Sequence, residues 1–496
     1  MEENLYNLAN INLPKPSIQI ENNVSRIFQK IHNGDKVNLI CLTSMTFDSV
    51  LTEGIIGVEH YEMRCLWEIS RVKKPNISVH FFSKRKVHPE AINHYFDVFN
   101  FSEAERSRVF FYSVEEILGT NNLSDDLSDY VLKNSLVSAQ FKKLGELKNA
   151  FMELFVLSKK EVEICHHFGI DSWWNHQDIE YFKTKSGNRR ILSGVTKIPR
   201  GFGDLHSVED VANHLLKLAK LTNGKKFVVK LNDGVSGDGN GVVRLPESSN
   251  LTIHKIRQAL IETNFVSSKM SYTKFFREMA KLGGVVEEYI EGEDKCSPSV
   301  QIFLQPNGSF EILSTHEQIL DGSGARFLGA RFPALNRHRQ LIINEAKKVA
   351  QKLIDMKIYG IVGLDFLTTE DLNGKIETYL IEINMRKGGT THPFWSTKFA
   401  IDGTVSDKTG KLVCDLGERI YRSNDNIITQ NPNRSLKDLI QLVRSNKILF
   451  NPDTKKGIIF HMLNSYPSLG KLGAVFIGEK DAELVTMEKK LLNLIA

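Results

Sequence analysis

The chain of 496 residues is poor in cysteine, with five thiols (Cys41, Cys65, Cys165, Cys296, Cys414) spread far apart and no C-x-x-C pair. Such spacing offers neither a disulfide framework nor a thiolate metal site, and it is expected of reduced thiols in a cytoplasmic protein. Long apolar runs are missing too. No stretch approaches the roughly 20 residues of a membrane helix, so no membrane partner is expected. The first residues, MEENLYNLANINLPKPS, lack the basic leader and apolar centre of a signal peptide. A surplus of one charge is absent: 64 Lys and Arg against 59 Asp and Glu leave +5. The basic residues are scattered, and nothing calls for nucleic acid as a partner. Neither a G-x-G-x-x-G turn after a strand nor a G-K-[ST] loop occurs, which argues against dinucleotide-binding and P-loop classes.

What is present is the composition of a globular protein, 41% apolar and 25% charged. A chain of this length exceeds one core and implies about two to four domains. Residues 1–165 read as an α/β unit. Strand-like runs at 38–45, 77–83 and 109–114 alternate with helical patterns at 59–70 and 89–99, which predicts a parallel sheet covered on both faces. Glu59, Tyr61, Glu62 and Arg64 are expected on the exposed surface of an amphipathic helix.

The most informative stretch is GIVGLDFLTTEDLNGKIETYLIEINMRKGGTTHPF, residues 360–394. Two apolar, β-branched runs flank Asn373-Gly374, a hairpin signal. Residues two apart on a strand share a face, so Glu382, Asn384 and Arg386 point one way, and Asp365 on the partner strand reaches the same face. Two carboxylates and a carboxamide, without Cys or His, suit a hard cation such as Mg2+. Arg386 can hold a carboxylate or phosphate with both arms of its guanidinium. Taken alone, a Glu-x-Asn pattern is more often a hairpin with one solvated face.

Upstream residues add to it. Lys185 precedes Ser186-Gly187, where a lysine can reach phosphates at a helix start. In KKFVVKLNDGVSGDGNGVVRL (225–245) a strand carrying Lys230 enters a glycine-rich tip and returns as a second strand. Backbone N–H groups at such a tip, Ser236 and Gly237 included, can approach phosphate oxygens because no Cβ blocks them. GGVVEEYIEGED (283–294) is a strand ending in acids that can bind adenine through its backbone. Each motif by itself is weak.

In this order, a lysine, a lysine-plus-glycine hairpin, an acidic hinge, then Asp and Glu-x-Asn on paired strands, the chain resembles the ATP-grasp ligases over about residues 166–400. PSVQ (298–301), STHEQ (314–318), LGARFPA (328–334) and NMRKGGTTHPF (384–394) are similar to the pheganomycin-type peptide ligases. YEMR (61–64) and residues 457–478 extend that likeness toward both ends. The resemblance implies an ATP-grasp fold of α/β class with α+β lobes, divided into an N-terminal pre-ATP-grasp domain (1–165), a nucleotide-binding and catalytic domain (166–400) and a small C-terminal domain (401–496).

It also implies roles. Lys185, Lys230, Ser236, Gly237, Glu287, Glu288 and Ile290 would hold ATP, with Glu293 or Asp294 on the ribose. Asp365, Glu382 and Asn384 would hold Mg2+. Where D-alanine–D-alanine ligase has an arginine two residues before its metal aspartate this chain has Gly363, and Arg331 is expected to supply that charge. Arg331 and Arg386 would grip the substrate carboxylate and its acyl phosphate, and His392 would accept a proton from the amine or serve as a structural residue before Pro393. The implied reaction joins a small-molecule carboxylate, an amino acid or similar, to an amine or peptide, releasing ADP and phosphate. A homodimer is an allowed assembly. The alternatives are an ATP-grasp enzyme with a non-amine acceptor and a non-catalytic nucleotide-binding regulator.

Overall fold

The computed structural model describes residues 18–46, 56–173, 179–234, 239–246, 251–322, 327–371, 373–429 and 434–496. Its first sheet is built from the apolar runs of the N-terminal third. Strands Val109–Ser113, Ile77–Ser83, Val37–Leu42, Ala150–Leu154 and Asp171–Ser172 lie in that order, all parallel. Helices such as Pro89–Val98 and Ser135–Gly145 link them, as the alternating pattern requires. One segment departs from expectation. Val58–Lys73 is a long 3₁₀ helix whose Glu62, Met63, Cys65, Leu66 and Trp67 are buried. The expected exposed surface at Glu62 and Arg64 is therefore corrected: a helix with three residues per turn, packed between other elements, does not reserve one side for solvent.

The second sheet is small and antiparallel, in the order Gly201–Leu205, Gly284–Glu288, Lys226–Leu231, Asn240–Arg244 and Asn264–Phe265. Helix Val208–Thr222 covers it. Ser207 caps that helix by accepting from the N–H of Asp210 at 3.0 Å. The apolar residues here, including Leu215, Phe227, Phe275 and Met279, form a cluster of their own.

The third sheet is the largest. Strand Gly360–Glu370 pairs with Ile376–Asn384 on one side and with Pro298–Leu304 and Glu293–Cys296 on the other. The order continues through Phe310–Leu320 and Phe327–Phe332 to Gly417–Ile428, which in turn pairs with Lys471–Gly478. The turn at Asn373-Gly374 has Gly374 at φ 76°, a conformation that glycine adopts without strain. Buried residues of this sheet and of the parallel one belong to one cluster, running from Ile27 to Ile495. Among the described residues no helix is long and apolar enough to cross a membrane.

Candidate functional site

The chain crosses from the small sheet to the large one between Glu288 and Glu293, and a cavity of about 910 Å³ opens along that crossing. On the large-sheet side the register places Asp365 opposite Glu382 and Gly363 opposite Asn384. A bulge between Asp365 and Phe366 breaks the ladder next to this pair, a common device for aiming side chains. The Asn384 amide donates to Asp365 Oδ2 at 2.7 Å, and the Gln318 amide donates to Oδ1 at 2.7 Å. Burial and the nearby Glu382 carboxylate push Asp365 up to about 7. Glu382 moves the other way. Burial raises it, but the combined charge of Lys185, Arg386 and Lys230 holds it below the ordinary glutamate value.

Helix Lys185–Leu192 brings the first lysine to this hairpin, with Lys185 Nζ 3.3 Å from Glu382 Oε1. Gly187 lets that helix dock: a Cβ there would stand 2.0 Å from the Tyr181 carbonyl. Asn188 Oδ1 accepts the N–H of Ile383, which locks the helix to the hairpin strand. From the small sheet, Lys230 Nζ lies 2.6 Å from Glu287 Oε2, and Arg189 Nη1 lies 2.7 Å from Glu287 Oε1. Burial raises the Glu287 carboxyl, yet Lys230 and Arg189 outweigh it and hold the group ionised below its ordinary range. The Glu287 side chain is thus committed to two cations. Glu288 accepts the N–H of Arg200 at 2.7 Å, and Tyr289 and Ile290 line the cavity after it.

The structure therefore gathers Lys185, Lys230, Glu287, Glu288, Ile290, Asp365, Glu382, Asn384 and Arg386 along one cavity. Other expected residues stand elsewhere. Ser236 and Gly237 lie outside the described residues, while the flanking Gly234, Gly239 and Asn240 line the cavity. Neither Glu293 nor Asp294 is on the cavity wall. Asp294 pairs with Arg337, which also holds Glu370 at 2.8 Å, because strand Glu293–Cys296 has joined the large sheet and faces its helix. Lys295 and Cys296 line the cavity there instead.

Arg331 is corrected as well. Its guanidinium is bidentate to Asp481, at 2.6 and 2.7 Å, and donates to the Pro333 carbonyl. Among the described residues its strand contributes Phe327 and Leu328 to the cavity wall, and not Arg331. His392 is 2% exposed and stands behind the wall, 3.6 Å from Asp425 and with its ring 4.3 Å from that of His461. Burial and the neighbouring His461 pull it down to about 3 against the opposing charge of Asp425, so it is neutral and poorly placed to take a proton from a substrate.

Several cavity residues were not singled out from sequence. Gln318 lies inside STHEQ, so the motif marked its position but not its contact with Asp365. Arg189, which sits behind the wall on Glu287, lies four residues after Lys185 and follows from helical spacing. Tyr61 and Arg64, expected on a helix surface, line the cavity together with Asp425 and Lys471, which come from segments remote in sequence.

Residues 198–390 match the family described as the ATP-grasp domain, and residues 438–491 match the PGM1 C-terminal domain. The chain is similar to the L-propargylglycine–L-glutamate ligase of Streptantibioticus cattleyicolor, 28% identical over 199 residues, or 40% of each chain. It is also similar to the IQ motif-containing protein H of Danio rerio, 21% identical over 346 residues, which are 62% of this chain. The matches span only 40% and 32% of those relatives' own lengths. Among solved structures, a biotin carboxylase from Campylobacter jejuni aligns at TM-score 0.55 and 14% identity, covering 94% of this chain and 92% of that one. N5-carboxyaminoimidazole ribonucleotide synthetase from Thermus thermophilus aligns at TM-score 0.52 and 12% identity, covering 93% and 99%. At such identities these two likenesses speak to the fold. The chain thus has an ATP-grasp fold, with the ATP-grasp domain match at residues 198–390.

Proposed function

We propose that the protein is an ATP-dependent ligase that joins a carboxylate to an amine through an acyl phosphate, with release of ADP and phosphate. The observation that carries this reading is the Lys185–Glu382 contact of 3.3 Å, which ties the lysine side of the cavity to the paired acids of the hairpin. The donors fit a hard cation. Asp365 and Glu382 are two close carboxylates, and burial together with the Glu382 charge raises Asp365 to about 7, a cost that a divalent ion would relieve. Asn384 would contribute its carbonyl oxygen after an amide flip. When bound, Mg2+ would neutralise phosphate charge and align the transferring group. The relative's printed name, a ligase of two amino acids, agrees with the reaction class.

The chain's own residues do the rest. Lys185 and Lys230 place positive charge where the triphosphate lies, and the Glu288–Ile290 backbone receives the adenine. Arg386, on the cavity wall beyond the hairpin, draws the substrate carboxylate toward the terminal phosphate and offsets their repulsion. The carboxylate oxygen attacks that phosphate, the β–γ bridging P–O bond breaks and ADP leaves, giving the acyl phosphate. The amine then attacks the acyl carbon, phosphate leaves, and the amine's proton passes to solvent or to the departing phosphate. The test is hydroxylamine trapping: with ATP, Mg2+ and a panel of amino-acid carboxylates, the chain should form a hydroxamate and ADP in equal amounts. ADP release independent of any carboxylate would overturn the reading.

A further inference from the structure

Two motif histidines take no part in phosphoryl transfer: His392 in NMRKGGTTHPF and His461 in the stretch 457–478. The fold brings both to Asp425. His392 stands in the first turn of helix Thr391–Ala400, Asp425 on strand Gly417–Ile428, and His461 at the end of strand Gly457–His461. All three are buried, at 2%, 4% and 1% exposure. One ligand atom from each lies within 4.8 Å of the other two.

Three local features shape this cluster. Strand Gly417–Ile428 slips register against Lys471–Gly478 between Asn424 and Ile427, an irregularity of the kind that re-aims side chains, and Asp425 sits in it. His461 pairs across the sheet with Gly473, where a Cβ would stand 2.0 Å from His461 Nε2. A glycine there leaves that nitrogen its room. The third feature is His392, neither of whose ring nitrogens has a hydrogen-bond partner among the described residues. Its Nε2 is 3.6 Å from Asp425 Oδ1, beyond hydrogen-bond distance. A buried imidazole left in this way is costly unless something joins it to the carboxylate.

The spacing suits one ion. His461 Nε2 is 2.9 Å and His392 Nε2 3.6 Å from the same oxygen, Asp425 Oδ1. In a tetrahedral zinc site with bonds of about 2.0–2.1 Å, ligand atoms stand roughly 3.4 Å apart, between those two distances. Two imidazoles and one carboxylate are the donor types of zinc centres that keep a fourth position for water, and Asp425 lines the cavity from which water can reach it. Arg64 occupies the other oxygen: its Nη2 donates to Asp425 Oδ2 at 2.8 Å, and such an outer hydrogen bond orients a ligating carboxylate. Its positive charge opposes any cation, so the site depends on the imidazoles, which select zinc-like ions over the Mg2+ suited to the hairpin.

We propose that His392, Asp425 and His461 form a second metal site, for a zinc-like divalent cation, distinct from the hairpin acids. The ion replaces the proton that His461 donates to Oδ1 and ties two C-terminal strands to the helix that follows the hairpin. This holds whether or not the ligase reading does.

The full chain, stripped on a chelating resin, is titrated with ZnCl2 by calorimetry without nucleotide or Mg2+, and bound zinc is counted by elemental analysis. One tight equivalent per chain is expected, with a rise in thermal midpoint that EDTA reverses. His392→Ala and His461→Ala should each weaken binding by more than the roughly 100-fold that a change outside the ligand set costs, whereas Glu382→Gln should leave it unchanged. X-ray absorption of the zinc-loaded wild type reads the ligands directly, and two imidazoles without sulfur are expected. No zinc on the wild-type chain, zinc lost with Glu382→Gln but kept by the folded histidine variants, or a shell containing sulfur would each overturn the proposal. Should the histidine variants fail to fold, the absorption spectrum of the wild type decides alone.

Discussion

Burial pushes both hairpin carboxyls up, but only Glu382 has lysine and arginine charge enough nearby to reverse it. Glu382 is therefore the hairpin acid held ionised without a cation, and Asp365 would join it if the proposed cation bound. Glu382→Gln keeps the shape and removes the charge. Turnover should fall by about 10²–10³, as when a principal electrostatic contact is lost, with the thermal midpoint little changed. Near-normal ADP release by a folded variant would remove Glu382 from the metal set. Arg386→Lys tests the next residue along. A lysine keeps the charge but loses the planar fork, so ATP affinity by calorimetry should hold while carboxylate turnover falls steeply. Collapse of ATP binding in parallel would assign Arg386 to the nucleotide.

A third residue sets a pH dependence away from the site. Glu62 is 6% exposed, accepts from the Lys84 N–H and the Thr43 hydroxyl, and is pushed by burial from 4.5 up to about 7. A carboxyl raised on folding favours the fold below its unfolded pKa and loses that contribution as pH climbs through the folded one. Relative to Glu62→Gln, the wild-type chain should therefore lose roughly 3 kcal/mol of stability between about pH 4.5 and 7. Denaturant titrations of both proteins across that range measure the difference. A flat difference would show Glu62 ionised and satisfied throughout.

At the scale of elements, the central hairpin was legible because alternation, β-branched residues and an Asn-Gly turn all point one way, and the same local agreement marks the strand that bears Lys230. The 3₁₀ helix was not, since burial of Glu62 and Trp67 is decided by what packs over them. Arg331 and His392 misled for a related reason: their motifs were informative, yet which side of a strand or helix meets the cavity depends on partners at Asp481 and Asp425 far along the chain. The turn after the hairpin strand is fixed by just such a remote contact. Lys387, 3% exposed, bonds with its ammonium to Glu68 and, at 3.1 Å, to Glu153, and its N–H donates to the Phe155 carbonyl at 3.1 Å. Lys387→Met leaves two buried carboxylates without their shared cation. A loss of roughly 3–5 kcal/mol is expected in chemical denaturation, partly recovered by adding Glu68→Gln. Unchanged stability in the single variant would mean that Arg71 alone suffices for both acids.

For the whole molecule, strand alternation exposed the parallel sheet and the family motifs exposed the nucleotide lobe, but the unity of the large sheet was hidden in sequence. Residues 401–496 read as a separate small unit, whereas strand Gly417–Ile428 pairs along Phe327–Phe332 and carries the buried Ile420, Tyr421 and Ile427. Tyr421 stacks on Phe332 at 4.9 Å and its hydroxyl meets His316 Nε2 at 2.5 Å. The core cluster of this sheet runs without interruption into the N-terminal parallel sheet, while the small antiparallel sheet keeps its own cluster. Cooperativity should follow the cores. A chain ending at residue 400 would expose the Phe327–Phe332 edge and strip one side of the shared core, so it should be unfolded or aggregated even though it retains every residue proposed to hold ATP and Mg2+. In the full chain, hydrogen exchange should divide differently, with residues of the small sheet opening at lower free energy than the two larger sheets. An ATP analogue should then slow exchange in the small sheet by bridging it to the hairpin. A soluble, cooperatively folding 1–400 fragment, or one uniform exchange free energy across all three sheets, would show that the cores do not set the folding units.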